Sequence, residues 1–485
     1  MKRPGWQPVG LRSARLPTCG SLCPPVLRPS VDASTHRLRM SATAAANPAP
    51  GWNPLSNVRP DERHALYWSF TYFFCLLTAY YVLRPVRDAM GASSDAAAIF
   101  PPALIDWAAA RGWALGDFTL QLLYTATFIV MLLLQPCYGA LVSRFPRRVF
   151  LPLVYGFFIV CLGGFHVAFD SGFDGRGMLF FVWVAVFNMF AVSVFWSYMS
   201  DIFADIDARR LYGYIGAGGT LGGLLGPEIT ARLVGSLGVA NMLLISAGFL
   251  AICLACNLAL APAARRREIA RGDRDGDKAM GGSALASFRL IATDPVLRAM
   301  ALVLFFGVAV GTLLYNEQVA IARAMAQADA SLATQFFARI DRYINWLVLA
   351  IQVLLTRHLL TRYGLAPLLL LPPAAILLGY CMLAAAPLPM LVAVVQVVTR
   401  ASEFALSKPA RETIYTRVDR ESRYKAKATI DTAIYRFSDL TFAWVHKGLS
   451  LFGSKAVFGA GIGLAAIFGW SAWQLVKAQR ALPQK

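Results

Sequence analysis

Long apolar stretches recur along the whole chain and are separated by short polar segments. In a helix, about twenty such residues at ~1.5 Å rise each cover the ~30 Å hydrocarbon core of a bilayer. The stretches lack the alternation of lipid-facing and lumen-facing positions that marks the strands of a membrane barrel. The pattern therefore predicts an all-α polytopic membrane protein of about twelve transmembrane helices, near 66–83, 118–142, 148–169, 177–200, 211–234, 238–261, 296–315, 340–360, 366–386, 388–406, 428–451 and 456–476.

Composition and charge agree with a chain embedded in lipid. Hydrophobic residues make up 57% and charged residues 15% of the 485 positions, whereas soluble domains have ~45–50% and ~25%. The net charge of +19 does not indicate a nucleic-acid partner, because most Lys and Arg residues lie in alternate loops between spans. By the positive-inside rule those loops and both termini are cytoplasmic.

A charged segment after the sixth span divides the chain into two parts of six spans each. It contains three consecutive arginines at 265–267 and the polar run G-D-R-D-G-D-K at 272–278. This plan is typical of the major facilitator fold, in which two six-helix pseudo-repeats are related by an axis along the membrane normal. The predicted parts are an N-terminal six-helix bundle at 59–262, a cytoplasmic central loop at 263–294, a C-terminal six-helix bundle at 295–478 and a tail at 479–485.

Residues 1–58 are rich in Arg, Pro, Ser and Ala, and Asp32 is the only acid among them. Such a composition cannot bury a core of its own. Two interpretations remain open: a disordered or mis-annotated segment ahead of a start at Met40, or an organelle transit peptide. The first predicts a bacterial inner membrane as the location, and the second predicts a plastid envelope.

The loop between spans two and three resembles the signature G-x-L-x-D-R-x-G-R-R of the major facilitator superfamily. Residues 139–148 read G-A-L-V-S-R-F-P-R-R, so Ser143 and Pro146 depart from it, and a related loop follows span eight. The resemblance implies a cytoplasmic gate between the halves, although basic residues in such loops also anchor to lipid head groups. The candidate gate residues are Gly139, Arg144, Arg147, Arg148, Arg362, Arg411 and Glu412.

Span five is rich in glycine, and Gly218, Gly222 and Gly226 recur every four residues on one helix face. Small residues at this spacing let two helix backbones approach closely in lipid. We expect either a pivot surface or a static packing contact there. A phosphate-binding loop is disfavoured, because no lysine accompanies the glycines and no strand precedes them.

Ionisable residues inside the spans are the costliest features, at about 2.5–3.5 kcal/mol or more for each unpaired charge at the bilayer centre. They predict a central water-filled cavity, with snorkelling at the helix end as the alternative for Arg84 and Arg87. The spacing of Arg400 and Glu403 predicts that these two residues pair. The candidate cavity residues are Arg84, Arg87, Asp88, Glu317, Arg339, Asp341, Arg342, Tyr435, Arg436 and Asp439.

Three stretches resemble the nucleotide translocases, the ATP/ADP exchangers of plastids and obligate intracellular bacteria. Residues 411–419 read R-E-T-I-Y-T-R-V-D and 423–431 read R-Y-K-A-K-A-T-I-D, against K-E-M-x-Y-I-P-L-D and K-x-K-G-K-A-x-x-D in that family. Residues 83–88 and 195–213 match less closely. Arg87 and Arg411 stand where the family uses lysine, and Val184 where it uses an acid. The resemblance implies an anionic, phosphorylated substrate.

These observations predict a secondary transporter with alternating access that exchanges an anionic phosphorylated metabolite such as ATP/ADP, works as a monomer and needs no cofactor. One alternative is a proton-coupled symporter or exporter in which Asp88, Glu317 or Asp439 is protonated. A non-transporting membrane sensor or scaffold is the alternative of another class. An enzyme is disfavoured, because the C-x-x-C at Cys253 and Cys256 lacks the second pair that a metal site needs.

Overall fold

Backbone N–H and C=O groups in a bilayer find partners only within the chain, so the apolar stretches close their hydrogen bonds as helices. The computed structural model describes residues 58–93, 95–144, 147–203, 205–271, 284–327, 329–415, 417–418, 426–427 and 429–481, and no strand occurs in these ranges. Their side chains are described except at 135–150, 200–201, 205–210, 267–271, 284–287, 330, 357 and 481. The predicted N-terminal tail up to residue 57, residues 272–283 of the predicted loop and residues 482–485 lie outside the description.

Seventeen α-helices follow one another in the described ranges. They are α1 (Arg63–Ala92), α2 (Ala96–Ile99), α3 (Pro102–Ala109), α4 (Thr119–Arg144), α5 (Arg147–Asp170), α6 (Arg176–Ile202), α7 (Asp205–Leu237), α8 (Val239–Arg271), α9 (Ala284–Thr293), α10 (Pro295–Ala326), α11 (Ala330–Ile351), α12 (Arg357–Tyr363), α13 (Leu365–Ala385), α14 (Pro389–Ser402), α15 (Lys408–Tyr415), α16 (Tyr435–Ser450) and α17 (Ser454–Ala478). Three π-helical segments, Gln352–Thr356, Glu403–Ser407 and Ile430–Ile434, join or precede α12, α15 and α16.

Ten helical stretches in the described part of the chain are long and apolar enough to cross a membrane. The predicted fifth and eleventh spans are not among them, because α7 is rich in glycine and α16 is only 16 residues long and charged. Helices α7 and α16 nevertheless belong to the same helical bundle as these ten stretches. The prediction of an all-α polytopic membrane protein is confirmed.

Two separate hydrophobic cores hold the helices together. The first draws on residues between Val58 and Leu260, where the Tyr72 ring packs edge-on against Phe195 with a centroid distance of 4.9 Å. The second draws on residues between Ile291 and Val476. We call α1–α8 the first half and α10–α17 the second half, and the domain boundaries given above stay predictions.

Helices α1 and α7 pack with their backbones in contact, and all three glycines of the spaced set lie at this contact. A Cβ atom on Gly222 would lie 2.3 Å from the Phe74 carbonyl oxygen, and one on Gly218 would lie 2.6 Å from the Phe70 carbonyl oxygen. On Gly226 it would lie 2.6 Å from a side-chain atom of α1. Glycine is therefore required here for close approach.

A third apolar cluster joins the two halves at the end of the bundle where α1 finishes at Ala92. It combines Phe100 and Leu123 of the first half with Val319 and Phe337 of the second. Hydrogen bonds continue the contact: Gln121 Nε2 donates to the Ala443 carbonyl at 3.3 Å, and Trp444 Nε1 donates to Thr125 Oγ1 at 3.2 Å. We call this the closed end.

Candidate functional site

A cavity of about 730 Å³ lies between the two halves. Its walls come from α1, α4 and α6 on one side and from α10, α14, α15, α16 and two of the π-helical segments on the other. Buried Phe181 and Tyr315 bound it toward the closed end. Ser193, Lys408 and Asp431 line it on the opposite side and are exposed, so the cavity opens there, at what we call the open end.

Five basic side chains line the cavity. They are Arg84, Arg87, Arg400, Lys408 and Arg436. Charges surrounded by protein and lipid are screened weakly, so this set attracts anions strongly unless protein carboxylates neutralise it.

Two of these arginines are neutralised by buried aspartates. Arg87 Nε donates to Asp88 Oδ1 at 2.9 Å, and Arg84 Nε lies 3.8 Å from the other oxygen of Asp88. Arg84 Nη1 also lies 3.3 Å from Asp341 Oδ1, which belongs to α11. The Arg84–Asp341 ion pair therefore connects the two halves in the interior of the bundle.

Three of the predicted cavity residues, Tyr435, Arg436 and Asp439, line the cavity from α16. Arg436 Nη1 lies 3.5 Å from Asp439 Oδ2, and Thr312 of α10 donates to Asp439 Oδ1 at 2.8 Å. The Arg436 guanidinium also lies 5.5 Å from the centre of the Tyr435 ring. Tyr435 and Asp439, four residues apart, share one face of α16, and Arg436 lies beside that face.

Of the ten predicted cavity residues, the structure places Arg84, Arg87, Tyr435, Arg436 and Asp439 on the wall. Asp88 and Asp341 lie buried behind the arginines that they neutralise. The other three predicted residues, Glu317, Arg339 and Arg342, do not line the cavity.

Glu317 accepts from Ser454 at 3.1 Å and lies 2.8 Å from His446 Nε2, inside the second half. Arg342 lies 3.2 Å from Glu228 of α7, and Arg339 is exposed. Partners that are remote in sequence therefore hold Glu317 and Arg342 elsewhere.

The predicted gate is described only in part. Arg411 is buried and its Nη2 lies 2.9 Å from Glu403 Oε1, while Glu412 pairs with Lys427. Arg362 is exposed. The side chains of the remaining gate residues, at 139, 144, 147 and 148, lie outside the described part, so the gate stays a prediction.

The predicted pair between Arg400 and Glu403 does not form. A π-helical segment begins at Glu403, and this residue pairs with Arg411 instead. A π-helical turn closes its hydrogen bond one residue later than an α-helical turn, so side chains beyond it point in different directions. Nothing in the local sequence signals this turn, which is why the sequence missed Arg400 as a residue of the wall.

Aromatic side chains cover much of the remaining wall. They are Phe73, Tyr80, Tyr81, Tyr124, Phe128, Phe181, Trp196, Tyr315, Phe404 and Tyr435. Apolar and aromatic walls with a few polar groups are typical of sites for small organic ligands. This lining suits a ligand that combines a flat or apolar part with a charged group.

No metal centre accompanies the cavity in the described part of the chain, where no cluster of three or more His, Cys, Asp or Glu side chains could hold an ion. Cys253 and Cys256 are buried in the first core, and Cys253 Sγ donates to the Tyr72 carbonyl at 3.6 Å. These cysteines serve packing.

Comparisons with known proteins agree with this architecture. The model of the Major Facilitator Superfamily matches residues 89–399, while no curated protein matches the chain. A variant of the nucleoside transporter NupG superposes with a TM-score of 0.58 at 14% identity, over 85% of this chain and 99% of that one. The D-xylose-proton symporter gives 0.58 at 14% over 87% and 98%, and the POT family transporter PepTSo gives 0.55 at 12% over 86% and 97%. At such identities the likeness concerns the fold.

Proposed function

Since the chain belongs to the Major Facilitator Superfamily and is a multi-pass membrane transporter, we propose that it carries an organic anion across the bilayer by alternating access. The observation that supports the substrate class is the set of five basic side chains on the cavity wall. Protein carboxylates do not line the wall in equal number, since only Asp431 and Asp439 do so. An anion entering the cavity therefore meets a positive surface.

The proposed mechanism uses the contrast between the two ends of the cavity. The apolar cluster around Phe100 and Phe337 closes one end, while the other end is open. The positive-inside rule applied to the loops places the open end in the cytoplasm. The conformation is then inward-facing, and rocking of the halves would open the closed end and close the open one.

We further propose a phosphorylated metabolite as the substrate, with nucleotides as the first compounds to test. The aromatic wall offers stacking surfaces for a base, and arginines bind phosphate oxygens through two parallel hydrogen bonds. The resemblance of residues 411–431 to the nucleotide translocases supports the same choice.

A proton-coupled transporter is the second candidate, because Glu317 and His446 form a partly buried carboxylate–imidazole pair. Histidine changes its charge near neutral pH, and such pairs inside membranes serve as proton relays. In this case transport would depend on a pH gradient.

Uptake of labelled nucleotides into proteoliposomes tests the proposal. We expect wild-type protein to take up at least one nucleotide, with stimulation by unlabelled nucleotide inside the vesicles. Arg436→Ala should reduce uptake strongly without loss of folded protein. Arg298→Gln is the control, since Arg298 is exposed and, within the described part of the chain, its side chain donates to the Ala292 carbonyl at the end of α9. Uptake that requires a proton gradient would favour the second candidate, and absence of uptake for every organic anion would refute the first.

A further inference from the structure

Arg400 differs from the other deep cations of the cavity because it has no ion pair among the described residues. It lines the cavity from α14, and its Nε atom is buried without a hydrogen-bond partner in the described part of the chain. An uncompensated arginine at membrane depth is costly, whereas a bound anion would satisfy its donors.

Three carboxylates that could neutralise Arg400 are held by other groups. Asp439 accepts from Thr312 and pairs with Arg436, while Asp341 pairs with Arg84. Glu403, the carboxylate closest to Arg400 in sequence, pairs with Arg411.

The π-helical segment Glu403–Ser407 explains why Arg400 lacks its expected neighbour. In a continuous α-helix, side chains three residues apart lie on the same face and pair. The wider turn sends Glu403 away from the cavity toward Arg411. Thr356, in the π-helical segment between α11 and α12, donates to the Ala405 carbonyl at 2.9 Å, which stabilises the wide turn. π-helical turns of this kind are frequent at functional sites.

The number of arginines and aspartates at and beside the cavity gives its net positive charge. At depth, four arginines (Arg84, Arg87, Arg400 and Arg436) face three aspartates (Asp88, Asp341 and Asp439), which leaves one positive charge. Lys408 and Asp431 line the exposed mouth and offset each other in charge. The surplus therefore corresponds to one cation, and the structure leaves Arg400 as that cation.

We propose that Arg400 is the specificity-determining residue that binds the anionic group of the substrate, and that the substrate carries one such group, a carboxylate or a phosphate ester, next to a ring. This inference rests on the proposed function and restricts its substrate class to compounds with one anionic group next to a ring. The ring lies against the aromatic wall, to which Tyr124 and Tyr435 contribute in the same cavity as Arg400. A triphosphate carries more charge than the cavity compensates, so a monophosphate binds in preference to ATP.

Two measurements on the same purified variants test this inference: thermal unfolding in detergent and uptake into proteoliposomes. The probes are AMP, ATP, phenylacetate and uncharged adenosine. The variants are Arg400→Gln, Arg400→Lys and the control Arg298→Gln. AMP and phenylacetate distinguish a phosphate ester from a carboxylate as the bound group.

We expect AMP or phenylacetate to stabilise and enter the wild type more effectively than ATP or adenosine. Arg400→Gln should raise the KM for that anion at least about tenfold, and Arg400→Lys should keep part of the affinity because lysine retains the charge but not the planar fork. Without ligand, Arg400→Gln should unfold at a temperature equal to or above that of the wild type, because an uncompensated buried charge has been removed. If Arg400 had a purely structural role, ligand-free Arg400→Gln would unfold at a lower temperature than the wild type.

The outcomes that overturn the inference are separate from those that overturn the proposed function. Anion uptake with an unchanged KM in Arg400→Gln refutes the role of Arg400 and leaves an anion transporter. A lower unfolding temperature of ligand-free Arg400→Gln also refutes it. If the wild type takes up adenosine but none of the three anions, both proposals fail.

Discussion

Arg84 and Asp341 face each other across the boundary between the two halves, with 3.3 Å between Nη1 and Oδ1. Only 15% of the Arg84 side chain and 5% of the Asp341 side chain are exposed. The pair lies beside the cavity, so any rocking of α1 against α11 changes this contact. An anionic substrate near Arg84 competes with Asp341 for the same guanidinium.

Neutralising Arg84 and neutralising Asp341 should lower the thermal stability of the protein by different amounts. Arg84→Gln leaves Asp341 without an ion pair in the described part of the chain, whereas Asp341→Asn leaves Arg84 with Asp88. Breaking a buried pair on one side costs about 3–5 kcal/mol. We therefore expect a larger loss of thermal stability for Arg84→Gln than for Asp341→Asn in detergent. Equal losses, or a smaller loss for Arg84→Gln, would contradict this asymmetry.

The contact between α1 and α7 predicts opposite effects for two glycine substitutions in one helix. Gly222→Ala places a Cβ atom 2.3 Å from a carbonyl oxygen of α1, and such overpacking costs about 1–3 kcal/mol. Gly216→Ala meets nothing within 4 Å and should be neutral or stabilising, because alanine favours the helix by up to ~1 kcal/mol. Unfolding temperatures of the two variants check this. The packing argument fails if Gly222→Ala is tolerated as well as Gly216→Ala.

Glu317 should act as a structural residue of the second half. It contacts His446 and Ser454 and does not line the cavity. Glu317→Ala should lower the unfolding temperature, while the KM of the remaining folded protein stays that of the wild type. Glu317→Gln keeps polar atoms for Ser454 and should be less destabilised. A shift in the pH dependence of uptake with Glu317→Gln would instead support proton coupling.

Cross-linking should distinguish the two ends of the cavity. In a cysteine-free background, Gln121→Cys with Ala443→Cys places thiols at a contact between the halves, and a short bifunctional maleimide should join them and stop uptake. Ser193→Cys with Phe404→Cys places thiols on opposite walls at the open end. The same short reagent should join that second pair less efficiently. Efficient joining of both pairs would show that both ends of the cavity are closed in the resting protein, which would contradict this prediction.

The helical architecture and half of the predicted cavity residues follow from the sequence because both depend on local patterns. Apolar length predicts each span, and the spacing of Tyr435 and Asp439 places both on one helix face. The glycines at 218, 222 and 226 likewise predict a close contact from spacing alone, although not that α1 is the partner.

The rest of the site depends on contacts between residues far apart in sequence. The sequence predicts Glu317 as a cavity residue because it lies at the end of an apolar span. In the structure it pairs with His446 of another helix, a contact that the local sequence does not reveal. Arg342 similarly pairs with Glu228 of the other half. The spacing of Arg400 and Glu403 predicts a pair in a regular α-helix, but the π-helical turn at Glu403 redirects the Glu403 side chain toward Arg411.

The apolar cluster at the closed end has a consequence for how external conditions act on the protein. Phe100, Leu123, Val319 and Phe337 hold the two halves together by excluding water, a force that weakens as the temperature falls. Dissolved ions screen exposed charges and barely affect such a contact. Cooling should therefore loosen this seal and favour the state in which the closed end is open, while a change in ionic strength should leave it nearly untouched.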